Sequence, residues 1–276
     1  MQPFADFARG HGLLINQILD DGRVHRCATA EHPRARNGAY RINGDWGWVQ
    51  DWATHMEPII WRAAGSDVGI PITPRRDVEA IRKEEADRKA EAASLASSIV
   101  NRCSTSSHPY LARKGFPDEI GLVDVDGRLV VPMRDMRAYK RINSVQWIDD
   151  TGSKLFLPGG VAKGSVLMLG VGLEHWLCEG YATGLSLRAA LGHLHRQARV
   201  VVCFSAGNMV HVASQMPGTK YVVADNDKSG TGERSAVATG LPWSMPPAVG
   251  MDANDYHQAA GIRALAELMR KVVTNA

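Results

Sequence analysis

Short apolar runs without strict alternation punctuate the second half of the chain: Val166-Leu-Met-Leu, His175-Trp-Leu-Cys, Val200-Val-Val-Cys-Phe and Tyr221-Val-Val-Ala. Strands buried on both faces read this way, because neither face has to stay polar. Segments 182–197, 206–215, 229–239 and 261–273 separate or follow them and read as helices, with Leu187, Leu191 and Leu194 at helical spacing in the first. That alternation predicts an α/β fold over 165–276, a parallel sheet with flanking helices.

Upstream the pattern changes. Residues 121–133 and 144–157 read as hairpins turning at Asp126-Gly127 and near 150–152, after a short helix from Tyr110 that Gly115 ends. This predicts an α+β block over 104–164. Residues 74–103 open on Pro74 and set opposite charges four apart, as in Glu84 and Arg88, with few apolar positions before Leu95, Ile99 and Val100. The expectation is a solvated connecting helix. Residues 1–73 predict a small β-rich unit: a helical start over 1–22, then short strands around 24–27, 38–44 and 47–52, joined by Gly, Asn and Pro turns.

At 276 residues and 45% apolar content the chain can bury a real core. No apolar run approaches the ~20 residues of a membrane span, and the start lacks a basic region followed by an apolar one, so a cytoplasmic protein with no membrane partner is expected. Cys27, Cys103, Cys178 and Cys203 are scattered without a Cys-x-x-Cys pair. A net charge of +3 permits nucleic-acid binding without demanding it. The distribution says more: Arg134, Arg137, Lys140 and Arg141 face a single acid, Asp135, just ahead of the acidic motifs. Such a block can track phosphates or simply guard a strand edge. In the N-terminal unit Tyr40, Trp46, Trp48, Trp52 and Trp61 accompany Arg23, Arg26, Arg34, Arg36 and Arg41. These side chains could stack bases and contact phosphates, or form the little sheet's own core.

The chemistry lies in the acids. Glu179 ends one apolar run, Asp225 and Asp227 end another, and Asp252 and Asp255 follow. Carboxyl ends of strands in open α/β sheets face the ligand crevice. Carboxylates gathered there suit a hard divalent cation, and an acid ending a buried strand is unfavourable unless it meets a cation or donor. Gly180 is expected to permit a tight turn after Glu179. Ser229-Gly-Thr-Gly-Glu should open a helix whose amides could bind an anion, although Ser229 as a plain cap explains the stretch equally well.

Glu-Gly-Tyr-Ala-Thr-Gly at 179–184, Asp-x-Asp at 225–227 and the later acidic pair, in that order, resemble the TOPRIM domain of bacterial-type primases, topoisomerases and several nucleases. The closest resemblance is to primases of phages and plasmids. It spans roughly 165–273 and extends upstream to His-Pro-Tyr-Leu-Ala-Arg-Lys-Gly (108–115), 128–135 and 144–148. The resemblance implies a DNA primase that makes short RNA primers on single-stranded DNA from NTPs, by metal-dependent nucleotidyl transfer. Glu179 would bind metal or act as general base on the attacking 3′ hydroxyl. Asp225 and Asp227 would hold the metal at the incoming triphosphate, and Asp252 and Asp255 would complete the acidic crater. Mg²⁺ is the implied cofactor, Mn²⁺ an alternative, and a replicative helicase the implied partner.

Arg113, Lys114, Arg134, Lys140, Arg141, Lys154 and Lys228 are the candidate nucleotide or DNA contacts, with Trp48 and Trp52 in the N-terminal, template-binding-like unit. That unit lacks the cysteine pairs of a primase zinc ribbon. His25, Cys27 and His32 do not make a closed site, so no zinc is expected. Thr183 stands where many bacterial primases carry a further acid. The rival readings are a TOPRIM nuclease that activates water with the same acids, and a non-catalytic single-stranded-DNA-binding replication accessory protein.

Overall fold

The computed structural model describes residues 3–55, 57–63 and 75–274, which fall into two compact units, Met1–Arg82 and Lys83–Ala276. The expected boundary at 73–74 lies outside the described residues.

In the first unit a short helix, α1 (Phe4–Gly10), precedes a sequentially ordered antiparallel sheet: β1 (Leu13–Leu14), β2 (His25–Thr29), β3 (Gly38–Asn43), β4 (Trp46–Asp51) and β5 (Ile59–Arg62). The helix expected over 1–22 is therefore confined to its first part. Gly12 takes φ 77°, and Leu13 and Leu14 pair with Thr29 and Ala28 instead of continuing the helix. Phe4, Tyr40, Ile42 and Val49 form the core, with Trp61 packed against it. The Phe4 ring lies 6.0 Å from Tyr40 and 5.3 Å from Trp61. Part of the aromatic content is thus this sheet's own core.

The second unit opens within α2 (Arg75–Arg102). Residues 82–91 are exposed, as the charge pattern predicts, but Ala92 and Ala96 are buried against Val130, Ile142, Val145 and Leu157. The end of this helix is packed and not solvated. Alanines let it lie close to a sheet while contributing little to apparent hydrophobicity.

The sheet beneath it is built from β6 (Ser104–Ser106), β7 (Gly121–Val123), β8 (Leu129–Asp135), β9 (Ile142–Ile148) and β10 (Lys154–Phe156), with a single-turn helix, α3 (Pro109–Arg113), between the first two. Both expected hairpin turns form, with Gly127 at φ 80° and Gly152 at φ 93°.

The chain then enters the α/β region: β11 (Ser165–Leu169), β12 (Glu174–Cys178), α4 (Tyr181–His193), β13 (Ala198–Val202), α5 (Ala206–Gln215), β14 (Lys220–Val223), α6 (Thr231–Thr239), β15 (Trp243–Ser244), α7 (Ala253–Ala260) and α8 (Ile262–Thr274). Strand order is β11-β13-β12-β14-β15. The last four are mutually parallel, whereas β11 runs antiparallel to β13 and pairs through Ser165 and Val166 with β8. One continuous ten-stranded sheet therefore carries both the basic block and the α/β region.

The parallel strands are buried on both faces, which explains their missing alternation. Trp176, Cys178, Val200 and Val202 pack on Leu187 and Leu191 of α4 and Leu265 and Met269 of α8. Leu177, Val201 and Val222 pack on Met209 and Val212 of α5 and Ala236 of α6. Among the described residues no helix is long and apolar enough to cross a membrane.

The two glycines of Glu-Gly-Tyr-Ala-Thr-Gly have different duties. Gly180 caps α4 at φ −101°, ψ 155°, an extended conformation open to any residue, so the expected need for a tight turn is not what places a glycine there. A Cβ at Gly180 would meet only Thr183 Oγ1 at 3.6 Å and Lys154 Nζ at 3.9 Å. At Gly184 it would lie 2.6 Å from Val202 Cγ2, so this glycine sets the distance between α4 and β13. Gly184→Ala should lower stability by about 1–3 kcal/mol, and Gly180→Ala should leave it within about 0.5 kcal/mol of wild type. Thermal unfolding checks this, and identical midpoints for the two variants would contradict it.

Candidate active site

β12 continues through α4 to its neighbour β13, and the next crossover then passes over β12 to place β14 on its other side. The gap between β12 and β14 is thus a topological switch point, where open α/β sheets leave a crevice at the carboxyl ends of their strands. Glu179 follows the end of β12, and Asp225 follows Ala224 beyond β14. They line one pocket of about 160 Å³ together with Asp252, Lys114 and Lys154.

Asp252 arrives there through Asn226. The Asn226 amide donates to Met251 O at 3.0 Å and its side chain to Pro246 O at 2.8 Å, tying the 246–251 loop beside Asp225. Asp252 then opens α7 in a capping box, accepting from the Asp255 amide at 2.8 Å while Asp255 accepts from the Asp252 amide at 3.4 Å. Fully buried Asn254 donates to Lys114 O at 2.8 Å and Ser186 Oγ at 3.0 Å, fixing α7 to α4 and to the stretch bearing Lys114.

Electrostatically these acids are held under tension. Burial, then the Asp227 charge, push the Glu179 carboxyl up to about 7 against the opposing pull of the Ala206 amide and Lys154. Burial, then Glu179 and Asp252, push Asp225 up to about 7 despite Lys154. Asp225 Oδ1 is buried without a hydrogen-bond partner, as is the hydroxyl of Tyr110, whose residue lines the same pocket. Each such orphan costs about 1–3 kcal/mol, a price sites bear when a ligand completes them.

Two expected ligands are engaged elsewhere. Asp227 does not line the pocket; its carboxylate caps the start of α6, accepting from the Thr231 amide at 3.1 Å, the Gly232 amide at 2.7 Å and the Ser229 hydroxyl. Burial alone would raise the Asp227 pKa, but these donors together hold it below the ordinary carboxylate value. The helix amides expected to be open to an external anion therefore hold an internal one. Asp255 serves the capping box and pairs with Lys114 Nζ at 3.4 Å. Among the described residues no three acid, His or Cys side chains gather into a ready metal cage.

The cations also divide. Lys114 and Lys154 line the pocket. Arg113 is exposed, with its guanidinium 5.9 Å from the Tyr110 ring centroid. Arg134 turns onto its own loop, donating to Tyr139 O at 3.4 Å and Lys140 O at 3.5 Å; Lys140, Arg141 and Lys228 are exposed. Neither that loop nor Lys228 contributes to the pocket lining. In the N-terminal unit Trp52 is 55% exposed, with the Arg26 guanidinium 5.6 Å from its ring centroid, and Trp48 is half-buried on β4.

Tyr110, Gln146, Thr183 and Phe204 also line the pocket and are absent from the expected set. Phe204, at φ 67°, holds a left-handed backbone that a bulky residue rarely adopts, between the end of β13 and Ser205, the cap of α5. No periodicity announces such a residue; Tyr110, by contrast, stands inside the 108–115 motif.

A mixed α/β sheet thus gathers Glu179, Asp225 and Asp252 at its switch point. Residues 175–263 match the Toprim domain family. Among solved structures, this protein is similar to a chain of the bacteriophage T7 assembly of lagging-strand DNA polymerase with primase domains of two gp4 subunits bound to an RNA/DNA hybrid and dTTP. That similarity has 14% identity, covers 63% of this chain and 93% of that one, and gives a TM-score of 0.43. It is also similar to the DnaG catalytic core, at 16% identity over 51% of this chain and 52% of that one, with a TM-score of 0.34. No curated protein matches the chain in sequence.

Proposed function

We propose that this protein is a DNA primase that joins ribonucleotides into short primers on single-stranded DNA. The observation that carries the reading is Asp225: a half-buried carboxylate with an orphaned oxygen, at a Toprim switch point, beside Glu179, Asp252 and two lysines. A hydrated Mg²⁺ fits this set, because it keeps several waters and takes only one or two carboxylates, so no preformed three-acid cage is required. Asp225 and Glu179 would hold it, with Asp252 beside them; Mn²⁺ suits the same oxygens. When bound, the ion supplies charge neutralisation at the phosphoryl group and activation of a hydroxyl.

The chain's own groups do the rest. Lys114 and Lys154 bind and orient phosphate oxygens. Where Glu179 does not itself ligate the ion, its carboxylate is placed to accept the proton of an attacking 3′ hydroxyl. Asp227 positions α6 and adds negative charge beside the other two acids. The exposed Trp52–Arg26 pair suits stacking against a template base. A replicative helicase is the natural partner for such an activity.

A nuclease would use the same acids to activate water. Incubating single-stranded DNA, labelled NTPs and Mg²⁺ with wild type and with Asp225→Ala separates the readings. New ribonucleotide oligomers, made by wild type only, are expected. Shortened DNA would instead establish a nuclease, and binding without either product an accessory role.

A further inference from the structure

We propose that Tyr110 and Gln146 form a sugar-reading wall of the acidic pocket, holding the ribose hydroxyls of a bound ribonucleotide; the assignment rests on the primase reading above. Tyr110 is 2% exposed and its hydroxyl is buried without a partner. The ring is locked in place by Leu111, Leu129, Ile148 and Tyr181. Its helix is fixed from the other side by His108, which accepts from the Tyr110 amide at 3.2 Å and meets Gly127 O at 3.0 Å. A position that only filled the core would be served by phenylalanine, so the hydroxyl is retained at an energetic disadvantage.

Gln146 reaches the same pocket from β9. It is 5% exposed, on the strand face shared with Ile148, and its carboxamide makes no hydrogen bond within the described residues. Two neutral side chains, both more than nine-tenths buried and neither hydrogen-bonded to another described side chain, therefore line the pocket that holds Glu179, Asp225 and Lys154; of the two, the Tyr110 hydroxyl is the enclosed, unpartnered atom. Charge sorts the ligand's parts among them. Lysines suit phosphate and carboxylates suit a cation, leaving a hydroxyl and an amide to pair with groups that both donate and accept, as vicinal sugar hydroxyls do. The volume, about 160 Å³, is below that of pockets that bury a whole drug-sized ligand, and it leaves the base outside. A site built to bond a hydroxyl rejects an analogue that lacks it, because its own buried groups are then left unpaired.

The test is equilibrium binding of ATP and dATP in Mg²⁺, with wild type, Tyr110→Phe and Gln146→Leu, beside thermal unfolding and primer synthesis. Wild type should bind ATP about tenfold more tightly than dATP. Each variant should lose that preference by weakening ATP alone, with an unfolding midpoint equal to or above wild type. Equal ATP and dATP affinities in a wild type that still makes primers would overturn the sugar assignment and leave the primase reading standing. Equal weakening of both nucleotides in the variants would do the same. Absence of nucleotide binding to wild type would overturn both.

Discussion

Asp225→Asn should lower the primer synthesis proposed above by about 10³-fold and, at pH 8 without divalent metal, should make the protein more stable. The two effects have one cause. The carboxyl, ordinarily near 3.8, is held at about 7 by burial first and by Glu179 and Asp252 next. Between those values the folded protein keeps a proton that the unfolded chain releases. The favourable contribution is therefore complete below about pH 4 and lost as pH rises through about 7. At pH 8 an ionised Asp225 opposes folding, and asparagine cannot ionise. Because Glu179 shares this titration and the Lys154 charge offsets part of it, the gain should be only part of the full shift, about 2 kcal/mol, or about 5 °C in the midpoint. It should vanish by about pH 4. Divalent metal reverses the ranking: Mg²⁺ at pH 8 should raise the wild-type midpoint and leave the variant nearly unmoved. Unfolding scans with and without Mg²⁺ at both pH values decide it. A variant less stable than wild type at pH 8 without metal would mean that Asp225 is a structural acid with a partner of its own.

That contrast also marks how far the primary chain could be read. Strands buried on both faces announce themselves by losing alternation, so the α/β region and its acidic strand ends were legible, and Glu179 and Asp225 could be placed at one crevice. The antiparallel course of β11 was not, because direction leaves no trace in a five-residue apolar run. The division of labour among the acids was hidden for a different reason. Asp227 and Asp225 are one residue apart and chemically identical, yet one meets three donors at the start of α6 and the other has an orphaned oxygen. Only the path of the chain after Gly230, itself left-handed at φ 67°, decides which is which. The basic block, for all its density, does not line the acidic pocket. Arg134 turns onto its own loop and Arg137 onto Gln215 of α5, while the two lysines that reach the pocket, Lys114 and Lys154, come from separate and less conspicuous stretches.

Gly232→Ala should be among the most destabilising single changes in the second unit. Its cause lies in how α6 meets the end of β14. A Cβ at Gly232 would fall 2.1 Å from Asp225 O and 3.1 Å from Asp225 C, a clash with backbone that no rotamer change can relieve. Helix α6 would have to move away from the strand end, and the 2.7 Å bond from the Gly232 amide to Asp227 would stretch or break with it. Overpacking of this kind costs about 3 kcal/mol, or roughly 6–10 °C for a unit of this size. Gly240→Ala is the control: it has φ 65° at the end of the same helix but open space around it, so it should lose only about 1 kcal/mol, from backbone strain. If the two alanines lower the midpoint equally, strain and not close approach governs both. If Gly232→Ala loses far more, the short distance between α6 and Asp225 is what holds Asp227 beside the other acids. Synthesis by that variant should then fall even at temperatures where it is fully folded.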